Sequence, residues 1–308
     1  MTATTTTLER RTRQRGSSDE ITAYLARLGV SVEPPSIDAL KRLHRAHVER
    51  VPYETFWIHL GERWGIGAAQ SMRRIATSTR GGYCFQLNGS FARLLDALGY
   101  NVSRHVAGVH DGFDASNATL AKHMVLFVDD LPDAGGIIGR WYVDVGLGDV
   151  LLEPLPLAPG ASTQGPTRFT MKQTSTGGVG DWHLGHETAG VSAGVSIVDD
   201  AVDISVFAQS HVFNATSEQS RFACTVTCQR RHVNGSDVMR GRVLTQRFGD
   251  VTQTQTLGTC VDWLDALGHV FGLDLSAVDR LAIDALWNRV CQAHESWTAT
   301  ATAKGVLL

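Results

Sequence analysis

Two adjacent glycines, Gly81 and Gly82, stand just before a cysteine that opens a helical run, in Arg80-Gly81-Gly82-Tyr83-Cys84-Phe85-Gln86-Leu87-Asn88. From Cys84 onward Phe85, Phe91, Leu94, Leu95 and Leu98 recur at helical spacing, and Gly99 stands where such a helix stops. The glycines let the chain turn tightly and let another molecule approach the backbone. The Cys84 sulfur is thus expected at the positive end of a helix, where the macrodipole and free N–H groups favour thiolate over thiol. The competing reading is a small buried hydrophobe at a glycine turn, the usual fate of a free cysteine.

The rest of the chain divides around that helix. Upstream, Ser17 and Ser18 are read as caps of a helix with an apolar face of Ile21, Tyr24, Leu25 and Leu28, ending near Gly29. After Pro34-Pro35 a second helix is expected from about Asp38 to Glu49, with Leu40, Leu43 and His47 as its stripe. His44 and His47 lie at i, i+3, but two histidines without a third ligand read as a surface pair rather than a metal site. Val51 to Phe56 reads as a bend between helices, and Arg73 to Thr79 as the lead into the cysteine helix.

After Tyr100 the texture changes to short runs rich in β-branched residues, separated by Gly, Asp, Asn and Pro. Strands are expected at Val102–Val109, Met124–Val128, Trp141–Val145, Val195–Val198 and Val202–Phe207. Phe222 to Gln229 alternates as well, which would put Cys224 and Cys228 on one strand face as packing residues. Helical spacing returns with a capping box at Thr259–Asp262 ahead of Val261, Leu264, Leu267 and Phe271. Ser276 to Asp279 repeats the device before Leu281, Leu286 and Val290, and the chain is expected to fray from about Thr298.

Composition excludes some functions. A net charge of −3 gives no basis for nucleic acid or an anionic membrane as partner. No apolar run approaches the roughly 18–20 residues of a membrane span. The first residues are Thr-rich, with Arg10, Arg11, Arg13 and Arg15, and lack the apolar core of a secretory signal. The five cysteines are odd in number and scattered, which suits a reducing cytosol better than a disulfide scaffold.

A nucleophilic cysteine needs a base and a group that holds the base. His123 immediately precedes the apolar run Met124 to Val128 and is expected at the start of a strand. Asp144 stands inside Trp141-Tyr142-Val143-Asp144-Val145-Gly146-Leu147-Gly148, where a carboxylate is costly to bury without a donor. Taken singly, His123 reads as a core histidine and Asp144 as a turn or edge carboxylate. Together, adjacent strands let Asp144 orient His123 toward the helix start that carries Cys84.

The glycine–cysteine stretch resembles the signature of the arylamine N-acetyltransferase family, followed as in that family by a helix ending in Leu98-Gly99-Tyr100. His123-Met124-Val125-Leu126, Asp144-Val145-Gly146-Leu147-Gly148 and Val51-Pro52-Tyr53-Glu54-Thr55 resemble three further motifs of it, in the same order. Weaker similarity continues through Ser217 to Phe222 and the terminal helices. The resemblance implies an α+β fold with a cysteine-protease-like Cys-His-Asp core. It divides the chain into a disordered tail (1–18), a helical domain carrying the nucleophile (19–100), a β-barrel-like domain (101–208) and an α/β lid with the C-terminal helices (209–308).

It also implies a triad of Cys84, His123 and Asp144, and acetyl transfer from acetyl-coenzyme A, or another acyl-CoA, to an arylamine or hydrazine. No tightly bound cofactor is expected. Gly146 and Gly148 are expected to let the donor pass close to the backbone, and Tyr53, Val109 and Leu147 to wall the acceptor site. Departures from the pattern bear on the acceptor rather than on the acyl chemistry: Leu147 replaces a phenylalanine, Tyr53 and Thr55 replace Phe and Asn, and Asp129 to Gly136 reads as an enlarged hairpin loop. Three other readings share the scaffold. An amide synthase would release a chain from an acyl carrier protein onto an amine; a cysteine hydrolase or transglutaminase would need no CoA; a binding protein would leave Cys84 unreactive.

Overall fold

The computed structural model describes residues 18–111, 120–132, 135–174, 179–188 and 191–303. The tail expected over 1–18 lies outside them except for Ser18, the first residue of α1 (Ser18–Leu28). α1 stops at Gly29, whose φ of +60° is left-handed and suits glycine. Ser36 caps α2 (Ile37–Arg50), its hydroxyl accepting the Ala39 N–H at 3.2 Å. Then come β1 (Tyr53–Glu54), α3 (Phe56–His59), α4 (Ala68–Thr77) and α5 (Cys84–Ala97). α5 is buried on nearly every face, as befits the centre of a core. Tyr24, Leu40, Met72, Ile75, Phe91 and Leu94 meet there without solvent exposure. Each such side chain contributes about 1.5–3 kcal/mol by leaving water.

His44 and His47 do not form the expected surface pair; both are fully buried. His47 lies between the rings of Tyr24 and Phe91, at centroid distances of 5.9 and 5.2 Å. The segment after residue 143 covers His44, whose Nδ1 bonds the Leu152 carbonyl at 2.9 Å. The buried face of α2 is therefore wider than its aliphatic stripe.

Eight antiparallel strands form the next layer: β2 (Asn101–Asp111), β3 (His123–Pro132), β4 (Ile138–Val143), β5 (Leu155–Pro156), β6 (Gly160–Gln164), β7 (Thr167–Gln173), β8 (Trp182–Thr188) and β9 (Val191–Ala201). Their order, β5-β4-β3-β2-β9-β8-β7-β6, curls into a nearly closed barrel. Gln164, at the end of β6, bridges the gap: its side chain accepts the Leu152 and Glu153 N–H groups and donates to Glu153 O. Val125, Phe127, Tyr142, Leu184, Val195 and Ile197 fill the interior. The supposed loop at Asp129–Pro132 is strand, continuing β3 past a bulge between Val128 and Leu131. Arg140 secures it through Asp129 at 2.8 Å, and Asp133 lies outside the described residues.

Residues 204–207 form a 3₁₀ turn, not a strand, because Asp203 accepts the Ser205 N–H and starts a helical turn. It leads into α6 (Ala208–Thr216) and α7 (Arg221–Cys224). Cys224 and Cys228 do not share a strand face: Cys224 is exposed on α7, capped by Ser220, while Cys228 is buried in β10 (Thr227–His232). β11 (Gly235–Arg240), β12 (Val243–Phe248) and β13 (Val251–Thr256) complete a second antiparallel sheet, ordered β1-β10-β11-β12-β13. The bend expected at Val51–Phe56 thus supplies an edge strand, β1, to a sheet built from residues far downstream.

Thr259 caps α8 (Cys260–Phe271) through the Asp262 N–H, and Asp279 accepts two N–H groups at the start of α9 (Arg280–Ala303). Val261 is exposed and Trp263 takes its place in the core. α9 runs on to Ala303, past the point where fraying was expected.

Candidate active site

The turn that presents Cys84 is fixed by residues 52–54. A side chain on Gly81 would place a Cβ 1.8 Å from the Pro52 carbonyl oxygen, so only glycine lets β1 approach. The Glu54 N–H donates to Gly82 O at 2.8 Å. Glu54, fully buried, accepts Arg80 Nε at 3.0 Å, and Arg80 also reaches Glu62 at 3.0 Å. Two of the four motifs therefore meet across this ion pair. Gln86 closes the start of α5 by accepting the Tyr83 N–H at 3.0 Å.

Cys84 is the first residue of α5 and only 3 % exposed. His123 opens β3 and lies within hydrogen-bonding reach of Cys84. Its Nε2 is 2.7 Å from Asp144 Oδ2, which leaves Nδ1 for the sulfur. Asp144 follows the last residue of β4 instead of lying within the strand. Burial alone would depress the His123 pKa, but the Asp144 carboxylate and the contact with Cys84 outweigh it and lift the value to about 10. Burial would likewise raise Asp144; His123, Asn88 and Tyr142 outweigh that and hold the carboxyl below its ordinary value.

Three residues with no role assigned from sequence complete this arrangement. Asn88, one turn after Cys84, donates from Nδ2 to Met124 O at 2.6 Å and to Asp144 Oδ1 at 2.8 Å, and accepts the Val145 N–H at 3.0 Å. The Tyr142 hydroxyl donates to Asp144 Oδ2 at 2.8 Å. His44 Nε2 accepts the Asp144 N–H at 3.4 Å. Burial pushes the His44 pKa down to about 4, so the ring is neutral. Asn88 was legible as a polar residue one turn from Cys84 on an apolar helix, and Tyr142 as a phenol two residues before Asp144; His44 carried no local signal.

The remaining candidates are distributed. Tyr53, on β1, packs against the cluster that contains Tyr83, Cys84 and Phe85. Leu147 packs on the barrel core. Val109 lies two residues beyond Ala107, the partner of His123, and is 48 % exposed. Gly146 touches Cys84: a Cβ there would sit 2.8 Å from Cys84 Cα and 2.6 Å from Asn88 Nδ2. Gly148, with φ +68°, faces Gln229 of β10. Its neighbour Asp149 ties the turn to the second sheet through Gln229 at 3.1 Å and Arg247 at 3.3 Å. Over the start of α5, His211 of α6 stacks on Trp57 and Tyr83, and its Nδ1 accepts the Tyr83 hydroxyl at 2.5 Å.

Comparisons with known proteins agree with this architecture. The profile of the N-acetyltransferase family matches residues 36–280. An arylamine N-acetyltransferase / N-hydroxyarylamine O-acetyltransferase of Salmonella typhimurium is 32 % identical over 146 residues, 47 % of this chain and 50 % of that protein. Proansamycin X synthase of Amycolatopsis mediterranei is 28 % identical, over 51 % of this chain and 60 % of that protein. The matches to these two thus span about half the length of each curated relative. An arylamine N-acetyltransferase of Mycolicibacterium smegmatis matches further, with 28 % identity over 83 % of this chain and 92 % of its own. Among solved structures, the Nocardia farcinica arylamine N-acetyltransferase superposes with a TM-score of 0.76 at 28 % identity, covering 87 % of this chain and 93 % of that one. The Mycobacterium marinum arylamine N-acetyltransferase reaches 0.79 at 24 % identity, over 88 % and 99 %. A family profile covering most of the sequence, and neighbours that share the whole architecture, carry one conclusion: this chain belongs to the arylamine N-acetyltransferase family.

Proposed function

We propose that the protein is an acyltransferase that moves an acetyl or other acyl group from a coenzyme A thioester, through an acyl-Cys84 intermediate, to an amine of the arylamine or hydrazine class. The observation that carries this is the unbroken line from Cys84 at a helix start, through His123, to a buried Asp144 with every donor in place. Cys84 gives its proton to His123 and attacks the thioester carbonyl. The S–C bond to the enzyme forms, the bond to the donor sulfur breaks, and the donor leaves as a thiol with the proton from His123. The amine then attacks acyl-Cys84, His123 takes its proton, and the thiol of Cys84 is restored. Backbone N–H groups at Cys84, at the start of α5, hold the developing oxyanion, an effect of about 3–4 kcal/mol per donor in other enzymes.

The family and the relatives' names support the acyl chemistry, and a fold neighbour from M. marinum was solved in complex with CoA. We assign Tyr53, Val109 and Leu147 to the acceptor wall. We assign the turn of Gly146 and Gly148, packed beside Cys84 and Gln229, to the donor side of the site. A second reading, amide synthase action on a carrier-bound chain, is favoured by the similarity to proansamycin X synthase and by Leu147 standing where the family motif has a phenylalanine. No helix among the described residues is long and apolar enough to cross a membrane, and we place the protein in the cytoplasm.

Intact-protein mass after brief exposure to acetyl-CoA without acceptor tests the reading. An acetyl increment on the protein, absent from Cys84→Ala, is the expected result. An increment only with longer acyl thioesters would favour the amide synthase, and none with either would overturn acyl transfer.

A further inference from the structure

Asp144 divides its two oxygens unequally. Oδ1 accepts Asn88 Nδ2 at 2.8 Å and the Gly146 N–H at 2.9 Å, which fixes the carboxylate in place. Oδ2 is shared between the His123 ring at 2.7 Å and the Tyr142 hydroxyl at 2.8 Å. The Tyr142 ring is fully buried in the barrel core, so its hydroxyl has no solvent to turn to. A donor on a carboxylate oxygen stabilises the charge there and weakens that oxygen's hold on a second donor.

We propose that Tyr142 sets how strongly Asp144 holds the His123 proton, and so keeps His123 able to act as a base in the amine-accepting half of the reaction. This rests on the acyl-transfer reading above. The two half-reactions make different demands. In the first, a strongly basic imidazole helps, because Cys84 must lose its proton to it. In the second, Cys84 is a neutral thioester and His123 must begin unprotonated. The amine N–C bond then forms, the S–C bond breaks, and the amine proton passes through His123 to Sγ. An Asp144 left to His123 alone would keep the imidazolium charged and block that step.

Tyr142 touches no reacting atom and acts through Asp144, so it is a positioning residue. The other titratable groups facing the pair are Cys84 from α5, His44 from α2 and Tyr53 from β1. All three are unchanged when only the phenol is altered.

The test titrates the His123 imidazole by NMR in Cys84→Ala and in Cys84→Ala/Tyr142→Phe. The midpoint rises by about one pH unit on loss of the hydroxyl, the scale of a hydrogen bond to a charged group. In the protein with Cys84 intact, Tyr142→Phe moves the acid limb of single-turnover deacylation by the same amount toward alkaline pH. Deacylation is then about tenfold slower below the limb, while acylation at that pH is little changed. Replacing Tyr142 with 2,3-difluorotyrosine, a stronger donor of the same shape, moves both readings the other way and serves if the Phe variant does not fold. An unmoved midpoint overturns the proposal, as does a loss of equal size at every pH in both half-reactions. If wild type forms no acyl-Cys84, the acyl-transfer reading falls, and the NMR midpoint alone decides whether Tyr142 tunes His123.

Discussion

Asn88 and Asp144 are joined by a 2.8 Å hydrogen bond that ties the helix of Cys84 to the carboxylate behind His123. The same amide also holds Met124 O, next to His123, so one fully buried side chain touches the supports of Cys84, His123 and Asp144 together. Misplacement of reacting groups by about 1 Å can cost on the order of 100-fold in rate. Asn88→Ala is therefore expected to slow acylation of Cys84 by about that factor while leaving a folded protein. Time-resolved intact mass checks this, and a folded variant that acylates at the wild-type rate would remove Asn88 from the positioning role.

Gly146 is needed for closeness rather than for an unusual backbone. The Cβ of Gly146→Ala would meet Cys84 and Asn88 at 2.8 and 2.6 Å. The variant is expected to lose about 1–3 kcal/mol of stability, as overpacked cores do, and most of its acylation. Chemical denaturation and the mass assay together decide it; unchanged values in both would show that the turn yields freely.

Arg80 is the partner of a carboxylate with no access to water. Arg80→Met leaves Glu54 buried and unpaired, which costs about 3–5 kcal/mol in comparable pairs. The double variant Arg80→Met/Glu54→Leu is expected to recover much of that loss. Denaturation midpoints of the three proteins give the answer, and equal loss in single and double variants would contradict it.

His44 and His47 make the fold acid-sensitive. Burial lowers His44 to about 4 and His47 well below its ordinary 6.5. Above about pH 6.5 both rings are neutral, folded or unfolded, and their contribution is complete. As the pH falls toward 4, only the unfolded chain takes up these protons, so stability declines across that window, by about 3 kcal/mol for His44. Urea unfolding at pH 7, 5.5 and 4.5 checks the slope, and His47→Phe is expected to flatten it. Identical slopes in the two proteins would argue that His47 titrates normally.

The helices were legible because their signals are local. Gly29, Gly99 and Thr259 mark ends where a side chain or a left-handed backbone satisfies orphan groups, and α5 follows its apolar spacing. The strands were legible only where they are apolar. β6 and β13, with polar sequences on an edge, carry no such pattern, and the two-residue β1 is too short to show one. The run Val202–Phe207 failed for the opposite reason: an Asx bond from Asp203 overrode β-branched propensity.

By itself the sequence determined the chemistry available: one cysteine at a glycine turn, a histidine opening a strand, an aspartate in an apolar stretch, and the family motifs that carry them. Tertiary structure alone decided how those groups are held. Asn88 reaches Asp144 from the cysteine helix, His44 comes from a helix 100 residues upstream, and β1 leaves the helical region to edge a distant sheet. These contacts bring together residues far apart in the chain, so no local pattern could encode them.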